Sequence, residues 1–453
     1  MTIGWATKLI TPRISIPFVL AFTINTHAVE RFVDLANPDP QPPYLTWATA
    51  ANDIQSAVDT SVDGDSILVS NGTYLATHTI TIAQGVTVRS VNGPEHTIID
   101  GYYSNRCVSM THSNAVLEGF MVRHGAAPME LFDTLEGYFD EGDERTRGSG
   151  IYLGGGRVRD CIVVSNISHG IHSLIATFGV GIYANTNSVI EDCVISMNHV
   201  EDVNEAFGAG LYALSSTIRD CKISGNSFSD DHILLKGGGV HAVDSLLEDC
   251  TITGHRLDDL ISVYGGGVYA DGCSIRNCAA NDNTGDRMNA FDASGGGIYA
   301  LDSQIDKVIA EGNRLMQGAM DSSGGGIYLS NGTLKNSLIV KNKIRGDDDV
   351  WGGGVMVVGG SVIHCTISSN KAVNNARDTG SSGLHATSGS TVDNCIVYFN
   401  GSASNDAQSA RNYKGISGST ISSSCVLPLQ PGPGNIDGDP QFFDLAATNF
   451  RLT

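Results

Sequence analysis

Positive charge is scarce in this chain. Lys and Arg number 27 against 48 Asp and Glu, and charged residues make up only 17% of the 453. That balance argues against nucleic acid and against an anionic membrane surface as partners, since both call for a basic face. Long apolar runs are missing too: beyond residue 28 no stretch is apolar for long enough to span a bilayer. No segment of residues 63–426 keeps a helical period, which points to an all-β chain. Phosphate-binding loops, Gly-x-Ser-x-Gly, His-Glu-x-x-His and Cys-x-x-Cys are absent, so no common nucleotide, hydrolase or zinc motif applies.

What is abundant is glycine, 54 residues, and much of it recurs. A glycine run followed by an aliphatic residue, and most often a tyrosine, is anchored at Gly150, Gly181, Gly210, Gly239, Gly267, Gly297, Gly326, Gly354 and Gly383. Successive anchors lie 28 to 31 residues apart, and a fixed period of that size marks a repeat architecture. About eight residues after each anchor stands an aliphatic residue (Val158, Ile190, Ile218 and their successors), and two residues later a turn-prone or polar one (Asp160, Asp192, Asp220). A cysteine column follows, then an asparagine, replaced once by His255.

Each unit reads as short strands separated by tight turns. In Gly-Ile-Tyr-Ala, alternation places Ile298 and Ala300 on one face and Tyr299 on the other. The Asp or Asn before each cysteine suits a bend, because these side chains tolerate left-handed backbone. Three short strands and three turns in about 29 residues make one coil of a parallel β-helix, with identical residues stacked about 4.8 Å apart. The chain resembles the right-handed parallel β-helix family with the pectin-lyase-like fold. Its GGG-[IVL]-Y plus [IV]-x-x-N rhythm is similar to the repeats of chlamydial-type polymorphic outer-membrane proteins. The resemblance spans about residues 60–425 and implies a fold rather than an activity.

Four regions follow. Residues 1–28 read as a secretory signal: Lys8 and Arg13 precede an apolar stretch that ends in Thr26-His27-Ala28. Residues 29–62 hold a proline-rich linker and a helix over 48–61, with Ala51, Ile54, Ala57 and Val58 on the face that caps the first coil. Residues 63–426 form the β-helix, and 427–453 a closing segment. The expected state is an exported monomer at the cell surface or outside the cell.

Ten cysteines in an exported chain suggest disulfides, but most of these share one slot in successive coils: Cys161, Cys193, Cys221, Cys250, Cys278, Cys365 and Cys395, with Val308 and Ser337 between. Substitution by Val and Ser favours a ladder of buried thiols over bridges or a metal site. Cys273, in a turn slot, is expected to be exposed.

Two surfaces are candidates for binding. The tyrosine column (Tyr152, Tyr183, Tyr212, Tyr269, Tyr299, Tyr328) faces away from the inward aliphatics and offers either a row of aromatic faces for sugar rings or a stabilising ladder. The loops between each asparagine and the next glycine run emerge at one corner and should stack into a ridge. They carry Asp230 and Asp231, then Arg256, Asp258 and Asp259, then Asp286 and Arg287; the insertion 126–147 adds Asp133, Glu136, Asp140, Glu141, Asp143 and Glu144 among its acids. A lyase of this fold needs carboxylates holding calcium and an Arg or Lys base, and a glycosidase needs two carboxylates. The plain alternative is a solvated acidic rim. Polygalacturonase-like motifs are not reproduced: Asp230-Asp231 is a bare pair, and His124-Gly125 and His169-Gly170 lack the leading glycine. The reading is therefore a glycan-binding or structural surface protein, with a polysaccharide lyase or glycoside hydrolase as the alternative. No cofactor is assigned, and calcium is the ion the acidic loops would take.

Overall fold

The computed structural model describes residues 28–126, 147–169, 176–229, 234–257, 260–285, 292–316, 321–347, 349–374, 381–387, 389–401, 412–415, 418–444 and 449–452. It is a parallel β-helix. Sheet 1 has 14 strands, from Glu30–Val33 to Thr420–Ser422. Sheet 2 has 13, from Gly72–Leu75 to Cys425–Val426, and sheet 3 has 12, from Ile80–Ile82 to Tyr413–Gly415. Every pairing in these sheets is parallel and in register, so each coil repeats the last: Val158 sits on Ile190, Ile190 on Ile218, Ile218 on Leu247. These columns fill the interior.

The corners explain the repeat. The residue before each member of the cysteine column, from Asp160 through Asn394, is left-handed, with φ between 49° and 55°, which is why Asp and Asn dominate there. The asparagines form a buried ladder. The side-chain amide of Asn166 donates to Asn198 Oδ1 at 2.9 Å, and that of Asn198 to Asn226 Oδ1 at 3.0 Å. The ladder resumes from Asn283 to Asn412. His255 fills the gap, accepting from the Asn226 N–H through Nδ1 at 3.2 Å.

All ten cysteines are free and buried. Eight of the thiols donate to the carbonyl two residues back, as from Cys193 to Glu191 at 3.1 Å, while Cys107 donates to the Arg123 carbonyl and Cys425 to that of Gly438. Cys273 is buried as well, which corrects the expectation of exposure: its corner side chain turns inward between Ser245 and Ser303. The outer face of sheet 1 carries a charge column that alternates in sign through nine coils: Arg89, Glu118, Arg159, Glu191, Arg219, Glu248, Arg276, Asp306, Lys335. Opposite charges on neighbouring rungs attract, and a slip by one coil would set like against like.

The open end of the first coil is capped by a 3-10 turn at Trp47–Thr49 and a helix at Ile54–Asp59, shorter than the 48–61 expected. Ala51, Ile54, Ala57 and Val58 are all buried, as the periodicity predicted. At the other end Ile436 bridges Cys425, and Phe442–Asp444 pairs antiparallel with Asn449–Leu452. Among the described residues no helix is long and apolar enough to cross a membrane.

Candidate functional site

The segments read as variable loops are largely strands. After each asparagine the chain runs out along one added sheet and returns along another, so the central coils carry a fin. The outgoing strands run from Ile167–His169 to Ser227–Ser229 and from Thr284–Gly285 to Lys371–Asn374; the returning ones form a seven-stranded sheet from Ala176–Phe178 to Asp349–Trp351. A second apolar core lies between them, with Val200, Phe228, Leu257, Leu315, Ile344 and Ala372 on the outgoing side and Ala206, Leu235, Val263, Ala293 and Val350 on the returning side. The signal was present in the sequence: the outgoing residues stand two places after the asparagine slot, and the returning ones four places before the glycine anchor.

The fin decides the fate of the tyrosine column. Tyr152, Tyr183 and Tyr269 are buried, and Tyr212, Tyr299 and Tyr328 half-buried. The rings do stack face to face, Tyr183 on Tyr212 at 5.1 Å and Tyr299 on Tyr328 at 4.5 Å, with His241 intercalated between Tyr212 and Tyr269. They point out of the helix interior as expected, but the returning sheet covers them. Phe178 meets Tyr212 edge-on at 5.4 Å, and Tyr264 meets Tyr299 at 5.2 Å. Arg147 stands 4.8 Å above the Tyr183 ring and Lys236 5.5 Å above that of Tyr269. The open strip of sugar platforms is thus corrected to a packed layer between two sheets. Burial, the largest cause, raises the Tyr264 pKa to about 12, with the Asp292 carboxylate adding to it.

Of the loop residues, Asp230, Asp231, Asp258, Asp259, Asp286 and Arg287 lie outside the described residues, as does 127–146. Arg256 is described. It is exposed and bridges Ser227 on one side and Thr284 on the other, linking the two outgoing sheets. Its column continues through Arg314, Lys343 and Lys371.

Two exposed aromatic sites were not foreseen. Trp47, 42% exposed and packed on Phe32 at 4.7 Å, walls a cleft of about 530 Å³ whose other sides include Leu68, Arg89, Val91, Glu118 and Asp160. The cleft lies at the corner between sheets 1 and 2 in the first coils. At the far end of the same sheet-2 strands, Asp100 gathers Arg123 and His124. Arg123 Nε donates to it at 2.8 Å, and His124 Nδ1 lies 3.1 Å away. Burial alone would raise the Asp100 pKa, but the Tyr102 N–H, Arg123 and His124 outweigh it and hold the carboxyl below its ordinary value. Tyr102 is 77% exposed and Tyr103 51%. Both are left-handed, as is His124 (φ 51°, 55° and 53°), and the Tyr103 ring lies 4.6 Å from the imidazole. Residues held in such backbone regions persist only where their surroundings enforce it.

With this geometry in hand the relatives can be placed. Residues 215–427 match the family model of the right handed beta helix region. No curated protein matches the sequence. Among solved structures, a mannuronic acid specific polysaccharide family 6 lyase from human gut microbiota is similar at 10% identity, covering 83% of this chain and 86% of its own, with a TM-score of 0.40. The pectate lyase Pel9A is similar at 13% identity, covering 94% and 90%, TM-score 0.34. An alpha-1,3-glucanase catalytic unit from Streptomyces thermodiastaticus is similar at 14% identity, covering 91% and 69%, TM-score 0.35. At these identities the likeness concerns the fold alone.

Proposed function

We propose that this chain is an exported β-helix protein of the cell surface or extracellular space that engages a glycan or similar surface polymer. The carrying observation is the Trp47 cleft: a half-exposed indole beside Arg89, Glu118 and Asp160. An aromatic face takes the apolar side of a sugar ring, while nearby charged groups bond its hydroxyls. In this reading the signal-like residues 1–28 direct export and the mature chain acts as a monomer at the surface. The test is a glycan array probed with residues 29–453. Trp47→Ala should weaken any binding about tenfold while the chain stays folded by circular dichroism; undiminished binding would remove the cleft from the reading.

A polysaccharide lyase or glycoside hydrolase is the second reading. It is favoured by the composition of the segments between the outgoing and returning strands, which hold Asp230, Asp231, Asp258, Asp259, Asp286 and Arg287 in the sequence, and by the exposed Arg256 that bridges Ser227 and Thr284. Grouped aspartates there are what six to eight oxygen ligands of calcium require. Incubation with uronate-containing and neutral polysaccharides, with calcium or with chelator, decides it. Calcium-dependent ultraviolet absorbance from unsaturated ends marks a lyase, and reducing ends without absorbance mark a hydrolase.

A further inference from the structure

We infer that the corner formed by Asp100, Arg123 and His124, with Tyr102 and Tyr103 beside it, binds a carboxylate-bearing sugar. This rests on the glycan-binding reading above and names the ligand class. Asp100 is 5% exposed and is fully engaged: it accepts from Arg123 Nε, from the Tyr102 N–H at 3.0 Å and from His124. Its role is to orient two cationic-type side chains. With Nε turned inward, the terminal nitrogens of Arg123 form no hydrogen bond among the described residues, and neither does His124 Nε2. Both side chains remain about one-third exposed, at 33% and 29%.

A guanidinium presenting two parallel N–H groups matches a carboxylate better than it matches a hydroxyl. The next rung of the column offers no rival acid, since Arg123 pairs there with Val164. The tyrosines complete the site. Tyr102 and Tyr103 form no side-chain hydrogen bond among the described residues, and the Tyr103 N–H is tied to the His124 carbonyl at 2.6 Å. Their rings are thereby held in solvent instead of folding onto the sheet. Exposed aromatic faces beside a carboxylate fork suit a ring that is apolar on one face and charged at its edge, which describes a uronate.

The position extends the Trp47 cleft. Gly119 lines the cleft, and the strand Met121–Arg123, about 10 Å long at 3.3 Å per residue, leads from there to the corner. Half-buried Ile98 and Met121 sit side by side on the intervening face. A short oligosaccharide lying across sheet 2 would touch both ends. The protein's net charge of −21 repels polyanions in general, so affinity for an acidic glycan must come from a local, shaped site.

The experiment measures binding of the full chain to polygalacturonate, its fully methyl-esterified form, dextran and dextran sulfate by titration calorimetry. The expected result is a preference of about tenfold for polygalacturonate over the methyl ester, as a charge-assisted pair contributes. Arg123→Lys, which keeps a cation for Asp100 but loses the fork, should abolish that preference. Tyr102→Ala, at an exposed site, should weaken both pectins. Arg123→Lys behaving as wild type overturns the inference, and so does dextran sulfate binding as tightly as polygalacturonate. If Trp47→Ala abolishes binding while Arg123→Lys changes nothing, the glycan reading stands and this site alone falls. If no polysaccharide binds, both fall.

Discussion

Gly210 leaves room for Asn226: a Cβ on the glycine would come within 2.8 Å of the asparagine side-chain nitrogen and 2.9 Å of Ile223 Cγ2. The same clash recurs between Gly181 and Asn198 at 2.8 Å and between Gly267 and Asn283 at 2.7 Å. The glycine and asparagine columns of the repeat are therefore one device. The buried amide ladder stays continuous only because the facing strand carries no side chain.

Replacing Gly210 by Ala should accordingly cost about 1–3 kcal/mol, the range for overpacking a filled interior. Gly225 is a useful control. Unlike Gly210 it is left-handed, at φ 62°, and it faces open space, so Gly225→Ala should cost only the backbone penalty of about 1 kcal/mol. Urea unfolding of both variants checks the order; equal costs would mean that the ladder does not select the anchor glycine.

Acid should destabilise the protein through three buried histidines. Burial is the largest cause in each case, and it lowers His241 to about 3, His255 to about 4 and His385 to about 4. The unfolded chain binds these protons near pH 6.5, the folded one only near pH 3–4. Their stabilising contribution is thus complete above pH 6.5 and lost as pH falls below it, by about 1.4 kcal/mol per pH unit for each group. His255→Asn should remove one such slope. It should also raise stability at neutral pH by about 1 kcal/mol, because it restores the side-chain amide link that the ladder lacks between Asn226 and Asn283. Melting temperatures of both proteins from pH 7.5 to 5 test this.

The charge column should respond to sign more than to size. Glu191 bonds Arg157 at 2.8 Å and pairs with Arg219 on the next coil, and its carboxyl is held below its ordinary pKa because these bonds outweigh burial. Glu191→Gln should cost about 1–3 kcal/mol. Glu191→Lys, which puts a cation beside Arg157, Arg159 and Arg219, should cost more, about 3–5 kcal/mol. A reversal as mild as Glu191→Gln in chemical denaturation would show that the alternation carries no register information.

The thiols should be silent until the chain unfolds. All ten are buried, and burial, the largest cause, raises Cys193 and Cys365 well above the ordinary thiol value. A thiol reagent should titrate none in the native protein at pH 8 and ten in denaturant. Fast labelling of a native thiol, or fewer than ten after unfolding, would contradict the all-thiol ladder.

Much of this fold was legible because a β-helix writes its contacts into a single period. Val158, Ile190 and Ile218 recur at the coil length because they stack on one another, and Asp160 and Asp192 recur because each coil turns at the same left-handed corner. The capping face of Ala51, Ile54, Ala57 and Val58 was legible for the same local reason. The fin was read as loops because its outgoing and returning strands are three residues or fewer in several coils, too short for alternation to register. Its column signal, Val200 and Phe228 two places after an asparagine, appears only when coils are aligned on one another.

The sites divide along the same line. Periodicity alone determined that Tyr152 to Tyr328 share a face, that the asparagines stack and that the cysteines lie in one slot, since these follow from register. Whether that tyrosine face meets water was decided by the tertiary structure, because the rings that cover it come from the coil before, as Phe178 does for Tyr212 and Tyr264 for Tyr299. Trp47, Tyr102 and Tyr103 belong to no column of the repeat, and Arg123 and His124 stand in columns whose next members, Val164 and Ser165, carry different chemistry. Only the winding of the first coils sets Asp100 beside Arg123 and brings the capping arm over sheet 1, and neither approach leaves a mark in the local sequence.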